Sequence, residues 1–122
     1  MSVEVEVEVE GSEEFKTAIN KFDAEMQSRL HERLAEWAEN VKTEASRLAP
    51  ARTGYLRSTI YARTIGWEAQ VGAEATYAAS VEFGTSKAQA KPFLNPTVES
   101  RLPELERTVA EALETAAAEA EL

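Results

Sequence analysis

The sequence offers one imidazole and no thiol with which to do chemistry. His31 stands beside Glu32 and between Arg29 and Arg33, and no second histidine or any cysteine exists to join it. Disulfides, zinc–thiolate sites and thiol nucleophiles are therefore excluded, and a metal site or a catalytic triad would have to be built from carboxylates. His31 reads as a surface histidine. Serines 12, 28, 46, 58, 80, 86 and 100 lack a GxSxG setting and a base to activate them. Gly54, Gly66, Gly72 and Gly84 are isolated, so there is no glycine-rich phosphate loop. Carboxylates remain. Glu74 and Glu82 flank a plausible pocket region and could share acid and base work, but glutamates are so numerous that such pairs arise by chance. The expectation is a protein without catalysis, metal or cofactor.

Composition narrows what such a protein could be. A chain of 122 residues with 43% hydrophobic side chains supports one folded domain with one modest core. The net charge is −9, and of the 22 acids only Asp23 is an aspartate. This surface repels duplex phosphate, which argues against a general nucleic-acid binder, and it is also what a protein of a high-salt cytoplasm would carry. The charge is uneven. From Ser46 to Trp67 the chain has Arg47, Arg52, Arg57 and Arg63 and no acid, so this segment is +4 and the remainder −13. No apolar run is long enough to span a membrane, and MSVEVEVEVE lacks the features of a signal peptide. The protein is expected to be made in the host cytoplasm and to have no membrane partner.

Hydrophobic periodicity sets the elements that would position these residues. Val3 to Val9 alternate valine and glutamate, which predicts a half-buried edge strand over 3–9 with its glutamates outward. Gly11 breaks it, Ser12 is a helix cap, and Glu13 and Glu14 suit the positive end of a helix. Phe15, Ile19, Phe22, Met26, Leu30, Leu34, Trp37, Val41, Ala45 and Leu48 then form one apolar stripe, predicting a long helix over 12–49 that Pro50 stops. Such a helix would exceed the width of a small domain, so it must bend or project. Residues 55–83 read as a hairpin turning at Gly66 and then a third strand, with a short helix from Tyr77 as the alternative. Residues 84–94 read as a mobile loop. Asn95 and Pro96 open a carboxy-terminal helix over 96–120, in which Pro103 predicts a kink or restart. The fold expected is α+β: an antiparallel sheet of three or four strands against the long helix, with the carboxy-terminal helix beside it.

Three segments exceed what turns and core alone require: APARTGYLRSTI from Ala49, QVGAEATYAASVEFGT from Gln70, and AKPFLNP from Ala90. Together they resemble the signature of a family of neck and tail-completion proteins of long-tailed double-stranded DNA viruses. That signature has a helix ending in Ala-Pro and then Arg-Thr-Gly-x-Leu-Arg-x-Ser/Thr-Ile, here Ala49, Pro50, Arg52, Thr53, Gly54, Leu56, Arg57, Thr59 and Ile60. It continues with Val-Gly, Tyr-Ala, Val-Glu-Phe-Gly-Thr and Pro-Phe-Leu-x-Pro, matched by Val71 and Gly72, Tyr77 and Ala78, residues 81–85, and residues 92–96. The match covers about half the chain. The valine–glutamate strand and the acidic balance depart from the family, and they suit a virus of a halophilic archaeon as well as one of a bacterium.

The resemblance implies a non-catalytic virion protein at the head–tail junction, forming a ring around the DNA channel. Six-fold symmetry is expected ahead of twelve-fold. Its partners would be further copies of itself and the adjacent head-completion and tail proteins, with DNA passing through unread. Arg52, Arg57, Phe83, Gly84, Lys91 and Phe93 are the candidate interface residues. Phe93 is expected to anchor a flexible 84–93 loop on a neighbour, and the arginine band to pair with a neighbour's glutamates in preference to DNA. A tail terminator is the nearest alternative. A cytoplasmic dimer built on a coiled coil is disfavoured by a stripe that drifts from a strict heptad.

Overall fold

A computed structural model describes residues 1–9, 13–50 and 54–120. Its elements in chain order are β1 (Val3–Glu8), α1 (Glu13–Ile19), α2 (Ala24–Leu48), α3 (Tyr55–Ser58), β2 (Ile60–Ile65), β3 (Glu68–Ala73), α4 (Ala78–Phe83) and α5 (Asn95–Ala120). The class is α+β, with a three-stranded antiparallel sheet and long amino- and carboxy-terminal helices. The expected cap at Gly11 and Ser12 lies outside the described residues.

Strand order is β1-β3-β2, so the amino-terminal strand pairs with the second arm of the hairpin and both outer strands are edges. The register pairs Val3 with Ala73, Val5 with Val71 and Val7 with Ala69, and across β3 it pairs Ile60, Ala62 and Thr64 with the same three residues. Period-two alternation puts these nine side chains on one face, and α2 covers it with Leu34, Trp37, Ala38, Val41 and Ala45. Each large apolar side chain taken fully out of water there contributes about 1.5–3 kcal/mol. Glutamates 4, 6 and 8 fall on the opposite face, as the alternation requires.

The third strand is therefore β1, and residues 78–83 form helix α4, the alternative that Ala78 and Ala79 allow. The expected single helix over 12–49 is two. Asp23 takes the N-cap of α2, its carboxylate accepting from the Met26 amide at 2.8 Å. Gln27 Nε2 donates back to the carbonyls of Ile19 and Phe22, both at 3.2 Å, and so closes the end of α1. A local polar competitor thus breaks the helix while the apolar stripe continues: Phe15, Phe22 and Leu30 form a second core cluster flanked by Trp67, Val109 and Leu113. Leu48, at the far end of the stripe, is exposed.

Helix α5 runs through Pro103 without the expected restart. It lies antiparallel to α2: Trp37 Nε1 donates to the Arg101 carbonyl at 2.8 Å, and Arg101 forms an ion pair with Glu44. The 25 residues of α2 hold the two ends of the molecule about 37 Å apart. One end gathers the terminus of α2, α3, α4 and the start of α5. The other gathers α1, the start of α2 and the second half of α5.

Candidate assembly surface

Side chains that bond backbone join the first of the three unusual segments to the second and the second to the third. In the first, Gly54 adopts a left-handed φ of 75° and opens α3. Arg57 then reaches back, donating from Nε and Nη2 to the Ala49 carbonyl at 3.3 and 3.2 Å and from Nη2 to that of Arg47 at 3.4 Å. These carbonyls belong to the last turn of α2, which has no partners of its own within the helix. Arg57 thus caps α2 while its side chain stays exposed.

Thr59 links the first segment to the second. Its hydroxyl donates to the Leu56 carbonyl at 2.9 Å and accepts from the Ala75 amide at 3.1 Å, while the Glu74 amide donates to the Thr59 carbonyl at 3.2 Å. Tyr55 and Tyr77 meet edge to face with centroids 6.2 Å apart. The amino terminus joins the same end: the Ala79 amide donates to the Met1 carbonyl at 2.9 Å, and the Met1 ammonium donates to the Thr76 carbonyl.

Glu82 links the second segment to the third. Its side chain is 3% exposed, and its carboxylate accepts from the amides of Phe93, Leu94 and Asn95 at 3.1, 2.9 and 2.9 Å and from Asn95 Nδ2 at 3.0 Å. Four donors occupy the acceptor sites of both oxygens, and the negative charge faces the positive end of α5. Glu82 is thus committed to structure, whereas Glu74 is exposed, so the two carboxylates that could share acid and base work stand in different surroundings. Among the described residues no group of three or more histidines and carboxylates could hold a metal ion, and no helix is long and apolar enough to cross a membrane.

The loop between them is tied at both ends. The Lys91 amide donates to the Val81 carbonyl at 2.8 Å, and the Thr85 hydroxyl accepts from the amides of Lys87 and Ala88 at 3.2 and 3.0 Å. Gly84 has φ 79°, and a Cβ there would lie 2.8 Å from the Ala90 amide nitrogen, so the doubled-back chain requires glycine. Phe93 is fully buried in the core of its own subunit. This overturns its expected role as an anchor on a neighbour: an aromatic that opens the carboxy-terminal helix is needed inside. The exposed aromatic of the segment is Phe83, at 65%.

Nor do the four arginines form one band. Arg63 sits on the uncovered sheet face, bonding Glu4 at 3.2 Å with its guanidinium 4.4 Å from the centre of the Tyr61 ring. Arg47 lies 3.8 Å from Glu44 at the surface, and Arg52 lies outside the described residues. Alternation along β2 separates Arg63 from Arg47 and Arg57, a consequence that charge counting along the chain does not register. On that sheet face Tyr61 Oη donates to Glu4 Oε1 at 2.6 Å. Burial, reinforced by the Glu4 charge, pushes the Tyr61 phenol up to about 12, while the bond from Tyr61, aided by Arg63, holds the Glu4 carboxyl below its ordinary value.

What the end of the molecule does present is an open groove of about 900 Å³ lined by Pro50, Tyr55, Leu56, Tyr77, Val81 and Lys91 among others. All three segments contribute to it. No family model, curated protein or solved structure matches the chain. The groove is the feature that sequence reading missed. Its signal was present in the tyrosines at 55 and 77, which are half-exposed. His31, read as a surface residue, is half-buried with its ring 5.8 Å from that of Trp67.

Proposed function

We propose that this chain is a structural subunit of the head–tail connector of a long-tailed double-stranded DNA virus, acting as a ring between the DNA-filled capsid and the tail. The observation that carries this reading is the union of the three segments that resemble the neck family. They are spread between Ala49 and Pro96, yet Thr59 and Glu82 bond them into one end of the molecule. Core packing alone does not require that end to display Tyr55, Tyr77 and Phe83, each more than 40% exposed. Large apolar side chains displayed on a frame held by directional bonds suit a surface that meets a partner. The charge supports a role through protein contacts, because a chain of net charge −9 around a DNA channel lets DNA slide without holding it.

Electron cryo-microscopy of virions that carry this chain tests the reading. A ring of density on the tail axis, with six copies expected and twelve the alternative, supports it. Virions in which the chain is absent from the head–tail junction would overturn it.

A further inference from the structure

We propose that the groove between Tyr55, Tyr77, Val81 and Lys91 seats the acidic second half of α5 from another copy of this chain. The proposal rests on the ring reading above, because a closed ring needs a head-to-tail contact in which two different surfaces meet.

The groove is lined mainly by apolar side chains, with Lys91 among them. Among the described residues Lys91 is the one charged side chain that lines it, and no carboxylate does. Residues 46–50, 54–60, 75–81 and 84–97, which line or flank it, carry Arg47, Arg57, Lys87 and Lys91 and no acid. These four cations leave −13 on the rest of the chain, given the net charge of −9. Glu82, the acid nearest in sequence, turns inward and is saturated.

The second half of α5, at the opposite end, is acidic. From Glu104 to Ala120 there are five glutamates and one arginine. Glu104, Arg107, Glu111, Glu114 and Ala118 recur at steps of three and four and are all exposed, so they form one outward stripe of α5. Ala110, beside that stripe, is exposed as well, and small side chains at these positions allow the helix to approach flat tyrosine rings closely. A chain cannot place this stripe in its own groove. Helix α5 starts beside the groove at Asn95 and runs antiparallel to α2 to the far end, about 37 Å away. The occupant is therefore a second molecule.

The chain has no cysteine, so disulfide trapping reads the contact directly. Gln89→Cys in the groove and Glu114→Cys on the stripe both replace exposed side chains. The two single variants, mixed in equal amounts and oxidised, should give the Gln89→Cys–Glu114→Cys heterodimer in about fivefold excess over either homodimer. The same excess should hold over the pair of Gln89→Cys with a control Ile65→Cys. Raising salt to about 1 M should lower the yield, because exposed charges are then screened within about 3 Å. Lys91→Glu in the groove partner should remove the excess, and Glu111→Lys in the stripe partner should restore it. A heterodimer no commoner than the homodimers or the control, or an excess of the Gln89→Cys homodimer, would overturn the proposal. Native mass spectrometry of the unmodified protein separates the two readings. Rings without the heterodimer leave the ring and remove this interface; the heterodimer with open chains alone leaves the interface and removes the ring.

Discussion

The two ends of this molecule are held by different physics. At the α1 end, Phe15, Phe22 and Leu30 pack with Met26, Trp67 and Leu113, and the contacts are apolar and non-directional. At the groove end, Glu82, Arg57, Thr59 and Thr97 each bond backbone groups of a neighbouring segment or turn, and these bonds fix angles as well as distances. Burying apolar area sets how firmly an end is held, whereas directional bonds set where its atoms sit. The end that displays its tyrosines is the one whose position is fixed by bonds.

That contrast is broken most forcefully by pairs of substitutions. Phe15 is 1% exposed and its ring meets that of Trp67 at 5.5 Å. Phe15→Ala should cost about 3–5 kcal/mol in urea unfolding, while Phe15→Leu, which keeps most of the volume, should cost less than about 1.5. At the other end the conservative change should hurt. Glu82→Gln keeps the shape but points an NH₂ group at amides that need an acceptor, for a loss of about 2–3 kcal/mol. Amide exchange should accelerate at Phe93, Leu94 and Asn95 in that variant and stay unchanged around Phe15. A Glu82→Gln protein as stable as the parent would erase the distinction between the ends.

The same distinction explains what the sequence makes legible. Period-two alternation in β1 and the apolar stripe of α2 announce the elements that burial holds, because burial follows periodicity. The break at Asp23 escapes that reading, since the stripe runs on through Phe22 and Leu30 while Asp23 and Gln27 cap locally. Glu82 and Arg57 escape it more completely. A glutamate and an arginine look alike in sequence whether solvated or bonded to carbonyls and amides many residues away, and only the fold supplies those partners. Phe93 escapes it for the same reason: like Phe83 it is an aromatic beside a loop, and helix α5 decides that Phe93 turns inward.

Arg57 gives a smaller and more local test. Removing its bonds to Ala49 and Arg47 exposes carbonyls that water can reach, so Arg57→Ala should cost only about 0.5–1 kcal/mol. Arg57→Lys should recover part of that, because an ammonium cannot reproduce the fork that spans both carbonyls. The change should appear as faster amide exchange in the last turn of α2, with Phe15 and its neighbours unaffected. Charge reversal to glutamate would combine a lost cap with repulsion from the carbonyls, so Arg57→Glu reports on stability before it reports on any partner.

The smallest effect is expected on the uncovered sheet face, where neither end dominates. Glu6 lies in register with Gln70 and Arg63, but its carboxyl is held above its ordinary value, chiefly by Glu4 and then by Glu68. A group raised in the folded state contributes stability that is full below its unfolded value of 4.5 and is lost as pH rises through the folded one. At neutral pH the folded protein therefore carries a repulsion that acid relieves. Glu44 runs the opposite way: Arg101 holds it below its ordinary value, so its contribution is present above 4.5 and is lost as acid protonates it. Glu6→Gln should raise the melting temperature slightly at pH 7 and confer no advantage below pH 4.5, while Glu44→Gln should lower it at pH 7 and converge on the parent in acid. Both effects should shrink with salt, since the groups are near solvent. Melting curves at a few pH values decide the matter. A Glu6→Gln gain that persists unchanged in acid would mean that β1 is limited by its backbone pairing, and that its row of glutamates carries no electrostatic cost.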